Sequence, residues 1–155
     1  MPPPRSHPTH PLTLLCLPIG HVDCGAVKAS VDQRDIGLVG NWIRNIRDVY
    51  RLHVHELDAV TDPKARHRRL VELNVVEQCL NLYKNGTVQR KRQQTFRESG
   101  SAYPRIHGLV FDPSDGVLHR LPVNFGEKFK PFRHVCVGGA CSKRRRVVPC
   151  GDDAC

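Results

Sequence analysis

No run of about 18 apolar residues occurs in this 155-residue chain, so no segment is expected to cross a membrane as a helix. Nor does the N-terminal stretch read as a good signal peptide. Leu12 to Leu17 is shorter than the roughly 7–15 apolar residues such a leader needs, and prolines interrupt what precedes it. The N-terminus is too poor in Arg and Ser for a transit peptide. Aromatic residues are scarce, at 6% with a single Trp, and no basic patch is interleaved with them. Acid is in short supply too: 15 Asp and Glu face 24 Lys and Arg, a net charge of +9. Part of that excess lies in residues 131–155, where five Lys and Arg against two Asp leave +3 around "SKRRR". Elsewhere bases alternate with acids, as on solvated helix faces, and no RNA-binding signature is present. Nucleic acid and membrane are therefore not expected as partners. The seven cysteines are odd in number and no convincing signal peptide precedes them, so a disulfide framework is not expected and a reducing, intracellular compartment is.

What is present reads as strand, helices, strand, turn, strand, an α/β layer architecture. Residues 1–11 are rich in Pro and His and are expected to be disordered. "LTLLCLPIG" (12–20) reads as a buried strand that Pro18 demotes from a central position. "GNWIRNIRDVYRLHVHELDAV" (40–60) reads as one long helix with Trp42, Ile46, Val49 and Leu52 on its apolar face. Asn41 and Trp42 are expected to fix its packing, and His53, His55 and His67 to be solvated. Asp62-Pro63 opens a second helix running to about Lys84, with Leu70, Leu73, Val76, Leu80 and Tyr83 as its stripe. Cys79 is expected to be an inert core thiol, Glu72 and Asn74 buried polar groups, and Asn85-Gly86 a C-cap. "TVQRKRQQTFRES" reads as a short helix or charged loop. "RIHGLVFD" (105–112) and "VLHRLPVNF" (117–125) read as strands joined by the turn "PSDG".

The chemistry sits in "GHVDCGAVKAS" (20–30). His21 and Cys24 stand three apart at a strand-to-helix turn, which can deliver a nitrogen and a sulfur to one zinc ion. Alone, such a pair is weak evidence. "GHVDCGAVKAS", "GLVGNWIRNIRDVYRLH", "LVELNVVEQCLNL" and "RIHGLVFDPSDGVL" follow one another in an order and spacing that resemble the β-class carbonic anhydrases, over about residues 20–125. The resemblance implies the family's fold, a three-layer, mostly parallel sheet flanked by helices. It implies a Zn2+ cofactor and reversible hydration of carbon dioxide to bicarbonate. It also implies a homodimer or a higher homo-oligomer. By that resemblance His21 and Cys24 are metal ligands, while Asp23 and Gly25 support the site. His107 lies in the family's Ile-His-Gly strand, where a structural role is expected.

The family's other half-site, Cys-x-Asp-x-Arg, supplies a third protein ligand and the Asp/Arg pair that orients the metal-bound water. No such motif stands among the twenty residues before His21, so no catalytic residue is identifiable. Cys16, if extended, lies about 16 Å from His21 by strand rise, too far to share its metal. "CSKRR" (141–145) and "CGDDA" (150–154) do not match. The chain therefore reads as 1–19 non-family, 20–134 a partial carbonic anhydrase domain lacking the N-terminal helices and first strands, and 135–155 a non-family tail. Residues 1–19 favour amino acids with pyrimidine-rich codons, as a translated tract before a splice acceptor would. Weak or absent activity is expected of the chain as written, with an open apolar strand edge. The alternative is a catalytically inactive relative that binds partners.

Overall fold

A computed structural model describes residues 15–32 and 35–128. The expectations for residues 1–14 and 129–155, four of the seven cysteines among them, lie outside the described residues.

Two interrupted strands run side by side. Strands β1 (Leu15–Cys16) and β2 (Ile19–His21) are separated at Leu17-Pro18. Strands β3 (Arg105–Ile106) and β4 (Gly108–Asp112) are separated at His107. They pair in parallel, β1 with β3 and β2 with β4, with Cys16 opposite Ile106 and His21 opposite Phe111. Pro18 lacks an N–H but its carbonyl still accepts from Leu109, so the ladder crosses the break. Strand β5 (Val117–Leu121) returns antiparallel to β4 after a turn that ends at Gly116, whose φ is 70°. The order β2-β4-β5 makes the segment before His21 an edge. It is also half-exposed, not buried as its apolar run suggested.

Between β2 and β3 lie six helices. They are α1 (Gly25–Val31), α2 (Leu38–Trp42), α3 (Arg44–Leu52), α4 (Val54–Asp58), α5 (Pro63–Lys84) and α6 (Gly86–Ser99). A four-residue turn, α7 (Phe125–Lys128), closes the described chain. The expected long helix over 40–60 is three pieces, broken at Ile43 and His53. The breaks redistribute its apolar face. Ile43 and Leu57 become fully buried with Val49, whereas Trp42 is 75% exposed and Leu52 also faces out. Trp42 therefore does not fix packing within the described residues. The break at His53 also turns that imidazole inward, 3.1 Å from Glu77, so it is not solvated; His55 is exposed as expected.

Helix α5 is the organising element. Asp62 caps it, accepting from Ala65 N at 2.9 Å, and Pro63 occupies the first turn. The row Val71, Val75, Cys79 lies on the sheet. A Cβ built on Gly20 would fall 2.7 Å from Val75 Cγ2, and one on Gly108 3.0 Å from Val75 Cγ1. Glycine at those two strand positions lets the helix approach. Leu70, Leu73 and Leu80 are buried too, and α5 also packs on α1, α3, α4 and α6. Cys79 is fully buried, and burial pushes its thiol pKa up to about 11. Asn85 does not simply end α5: its side chain accepts from Thr87 N and Val88 N and starts α6, whose own end is Gly100 at φ 76°. "TVQRKRQQTFRES" is thus a helix and not a loop. Tyr83 stacks on Phe125 at 4.9 Å. No helix of the described residues is long and apolar enough to cross a membrane.

Candidate metal half-site

Strand β2 ends at His21 and α1 starts behind Cys24, so both side chains stand at the carboxyl end of a parallel strand pair. That is where open α/β sheets place their ligands. The connection is tight. Val22 N donates to Phe111 O at 2.8 Å, and Asp23 takes the left-handed φ of 65° before the chain enters the helix. An Asp tolerates that conformation better than most side chains. Its carboxylate pairs with Lys28, which holds its pKa below the usual carboxylate range. Asp23 thereby shapes the turn. Nδ1 of His21 lies 3.2 Å from the Val22 carbonyl, a contact that suits the tautomer with its proton on Nδ1 and its lone pair on Nε2. Cys24 is half-buried, reduced, and makes no capping hydrogen bond, so its sulfur is uncommitted. A Cβ at Gly25 would meet open space, so packing within the described chain does not require glycine there.

Two donors fall short of the three protein ligands a catalytic zinc uses. Among the described residues no third Cys, His, Asp or Glu joins His21 and Cys24 in a ligand cluster. Cys16 stands five residues back along the same extended edge, beside Ile106, and His107 lies at that far end too. His107 donates its backbone N–H to Cys16 O, and its ring meets Arg120 at 3.3 Å, a structural role as expected. One metal-like cluster does form, from Asp112, Asp115 and His119. Its four carboxylate oxygens already meet Ser114, Arg68, Val117 and His119, so the protein itself satisfies it. Sequence reasoning missed the Arg68–Asp112 pair at 2.7 Å, which ties α5 to the end of β4. Glu72 meets Arg69 at 2.8 Å and Asn74 meets Gln78 at 3.3 Å, both half-buried. His67 is half-buried and not solvated, with its Nε2 shielded and unpartnered.

The family model described as carbonic anhydrase matches residues 15–118, more than half of the chain. The chain belongs to the carbonic anhydrase family. A carbonic anhydrase of Emericella nidulans is 47% identical over 106 residues, 68% of this chain and 44% of that protein. One of Candida albicans is 26% identical over 120 residues, 75% of this chain and 39% of that protein. Among solved structures, a β-carbonic anhydrase of Aspergillus fumigatus superposes with a TM-score of 0.61 at 28% identity, over 72% of this chain and 50% of that one. A tetrameric β-carbonic anhydrase of Sordaria macrospora gives 0.57 at 30% identity, over 68% and 50%. This carbonic anhydrase chain thus has the α/β fold expected of it and spans about half the length of the relatives it matches. Within the described residues α5 packs on β2, β3 and β4, while α1, α3, α4 and α6 pack on α5 and α2 packs on α3.

Proposed function

We propose that this chain carries the His-x-x-Cys side of a zinc centre for reversible hydration of carbon dioxide to bicarbonate, with His21 and Cys24 as two of three protein ligands. The observation that carries the reading is the turn itself. It sets His21 at the end of β2 and Cys24, which makes no capping hydrogen bond, at the start of α1, both at the carboxyl end of the parallel strands. In a completed site the metal would supply an acidified water as nucleophile. The described residues do not complete that site, so turnover needs a third ligand and a group to orient the water. A homo-oligomer is part of the same proposal. A reducing, intracellular compartment suits a thiolate ligand.

The test is complementation. A segment bearing Cys-x-Asp-x-Arg, taken from a carbonic anhydrase relative, is fused ahead of Leu15, and zinc content and CO2 hydration are measured beside the 155-residue chain. The fusion is expected to hold one zinc and turn over, and Cys24→Ser in it to lose both. The unfused chain is expected to do neither. A fusion that melts cooperatively yet binds no zinc overturns the assignment of His21 and Cys24.

A second reading, a non-catalytic module that binds a partner, is favoured by the sheet face that the described residues leave uncovered. Register and alternation set Leu15 (50% exposed), Leu17 (44%), Ile19 (55%), Phe111 (36%) and Leu118 (51%) on the side away from α5. Parallel strands normally have both faces covered. If the fusion fails to turn over while Ile19→Lys abolishes self-association of the unfused chain in sedimentation, the binding reading gains the ground the catalytic one loses.

A further inference from the structure

We propose that the sheet face away from α5 receives an amphipathic helix of a partner protein, laid along the strands with its acidic end at Arg105 and Arg120. The inference rests on the binding reading above and names its partner.

Alternation sets more than the apolar row of Leu17, Ile19, Phe111 and Leu118 on that face. On β5, Arg120 stands two residues from Leu118 and shares its side. Across the sheet, Ile106 is buried against α5, so its neighbours Arg105 and His107 turn the other way. The side chains meet there. Arg120 Nη2 lies 3.3 Å from His107 Nδ1, a contact that orients the guanidinium without neutralising it. Burial, then the charges of Arg120 and Arg105, lower the His107 pKa, so both arginines stand close to that ring. Arg105 also lies over the Tyr103 ring, 5.4 Å from its centroid. Among the described residues no ion pair joins either arginine to a carboxylate; the pairs that form lie elsewhere. The face is therefore apolar along the strands and positive at the amino end of β4.

Charge selects the occupant. The whole chain carries +9, and its residues 131–155 hold five Lys and Arg against two Asp. A second copy, or that tail, brings net positive charge to an end that is already positive, which disfavours both. A partner with acids at that end is matched to it. The strands select a helix, because parallel strands are normally covered by helices on both faces. On the opposite face α5 already runs along them. Arg68, near its start, meets Asp112 at the carboxyl end of β4, and Cys79, further on, lies over Gly108 at the amino end. A helix laid the same way on the uncovered face has one end at Arg105 and Arg120. The five residues of β4 span about 17 Å, which about eleven helical residues match.

The test uses the 155-residue chain and two lactam-stapled helical peptides, each with leucines along one face. One carries Glu in its last turn and the other Lys at the same places. The staple holds helices too short to form alone. Fluorescence anisotropy at low salt is expected to show the Glu peptide binding about fivefold tighter or more. Arg120→Glu should weaken the Glu peptide by a similar factor and strengthen the Lys peptide. Arg120 is exposed and its side chain bonds only to His107 among the described residues, so this variant should keep the fold, which thermal melting checks. Arg90→Glu on α6 should change neither affinity, and Ile19→Lys should abolish both. Equal binding of the two peptides, or an effect of Arg90→Glu as large as that of Arg120→Glu, overturns the acidic partner while leaving the face a binding surface. If neither peptide binds and Ile19→Lys still abolishes self-association, the face belongs to a second copy and the partner named here is wrong. If neither peptide binds and Ile19→Lys changes nothing in sedimentation, the binding reading falls as well.

Discussion

Single residues decide how α5 reaches the sheet. Gly20 sits beneath Val71 and Val75, so Gly20→Ala pushes a methyl to within 2.7 Å of Val75. We expect about 1–3 kcal/mol of destabilisation, read by urea denaturation. An unchanged midpoint would show that Val75 yields freely. The contrast with Gly25 is instructive. In the sequence both glycines flank the same motif, and only Gly25 was singled out there, as a support of the site. Only the packing shows that Gly20 carries the close approach while Gly25 faces open space. Cys79 was legible as a core thiol from its place in an apolar helix, and its raised pKa follows from that burial. His53 and His67 were misread because a one-dimensional helical face cannot show which neighbour folds over it.

Among the elements, α5 was the most legible, since its start rests on local chemistry. Asp62 and Pro63 specify an N-terminus whatever the surroundings. Asp62→Ala is expected to cost about 1 kcal/mol, seen as a lower denaturation midpoint, with Asp62→Asn recovering most of it. A full loss in both variants would locate the effect elsewhere. The stripe read along α5 was correct but partial. It found Leu70, Leu73 and Leu80, with Val76 and Tyr83 only partly buried, and it missed Val71 and Val75, which meet the sheet beside the expected core thiol Cys79. A helix buried on several sides lacks the single apolar face that periodicity detects. The segment over 40–60 failed for the opposite reason. Its pattern is helical throughout, yet Ile43 and Leu57 gain burial only when the chain bends at Ile43 and His53.

For the whole molecule, protonation sets the acid limit. Burial, with Lys28 nearby, lowers the His67 pKa below its ordinary 6.5. Burial, Arg120 and Arg105 lower that of His107. Both are therefore better protonated in the unfolded chain, and the unfolded state gains protons first. Stability is full above pH 6.5 and falls as pH drops through the gap between the ordinary and the lowered values. Asp112, held low by Ser114 and then Arg68, adds a second loss as pH falls below its ordinary 3.8. Denaturant midpoints measured across pH should show both steps, and His67→Gln should shrink the first. A midpoint flat between pH 7 and 5 would contradict the imidazole contribution.

The sequence by itself determined the family, the His-x-x-Cys turn, the capped α5 and the β4–β5 hairpin, because each rests on residues adjacent in the chain or at a fixed spacing. The tertiary structure alone decided which glycines are compressed, where the 40–60 segment breaks, and which sheet face the described residues leave uncovered. These depend on distances between segments tens of residues apart, which only the folded chain brings together.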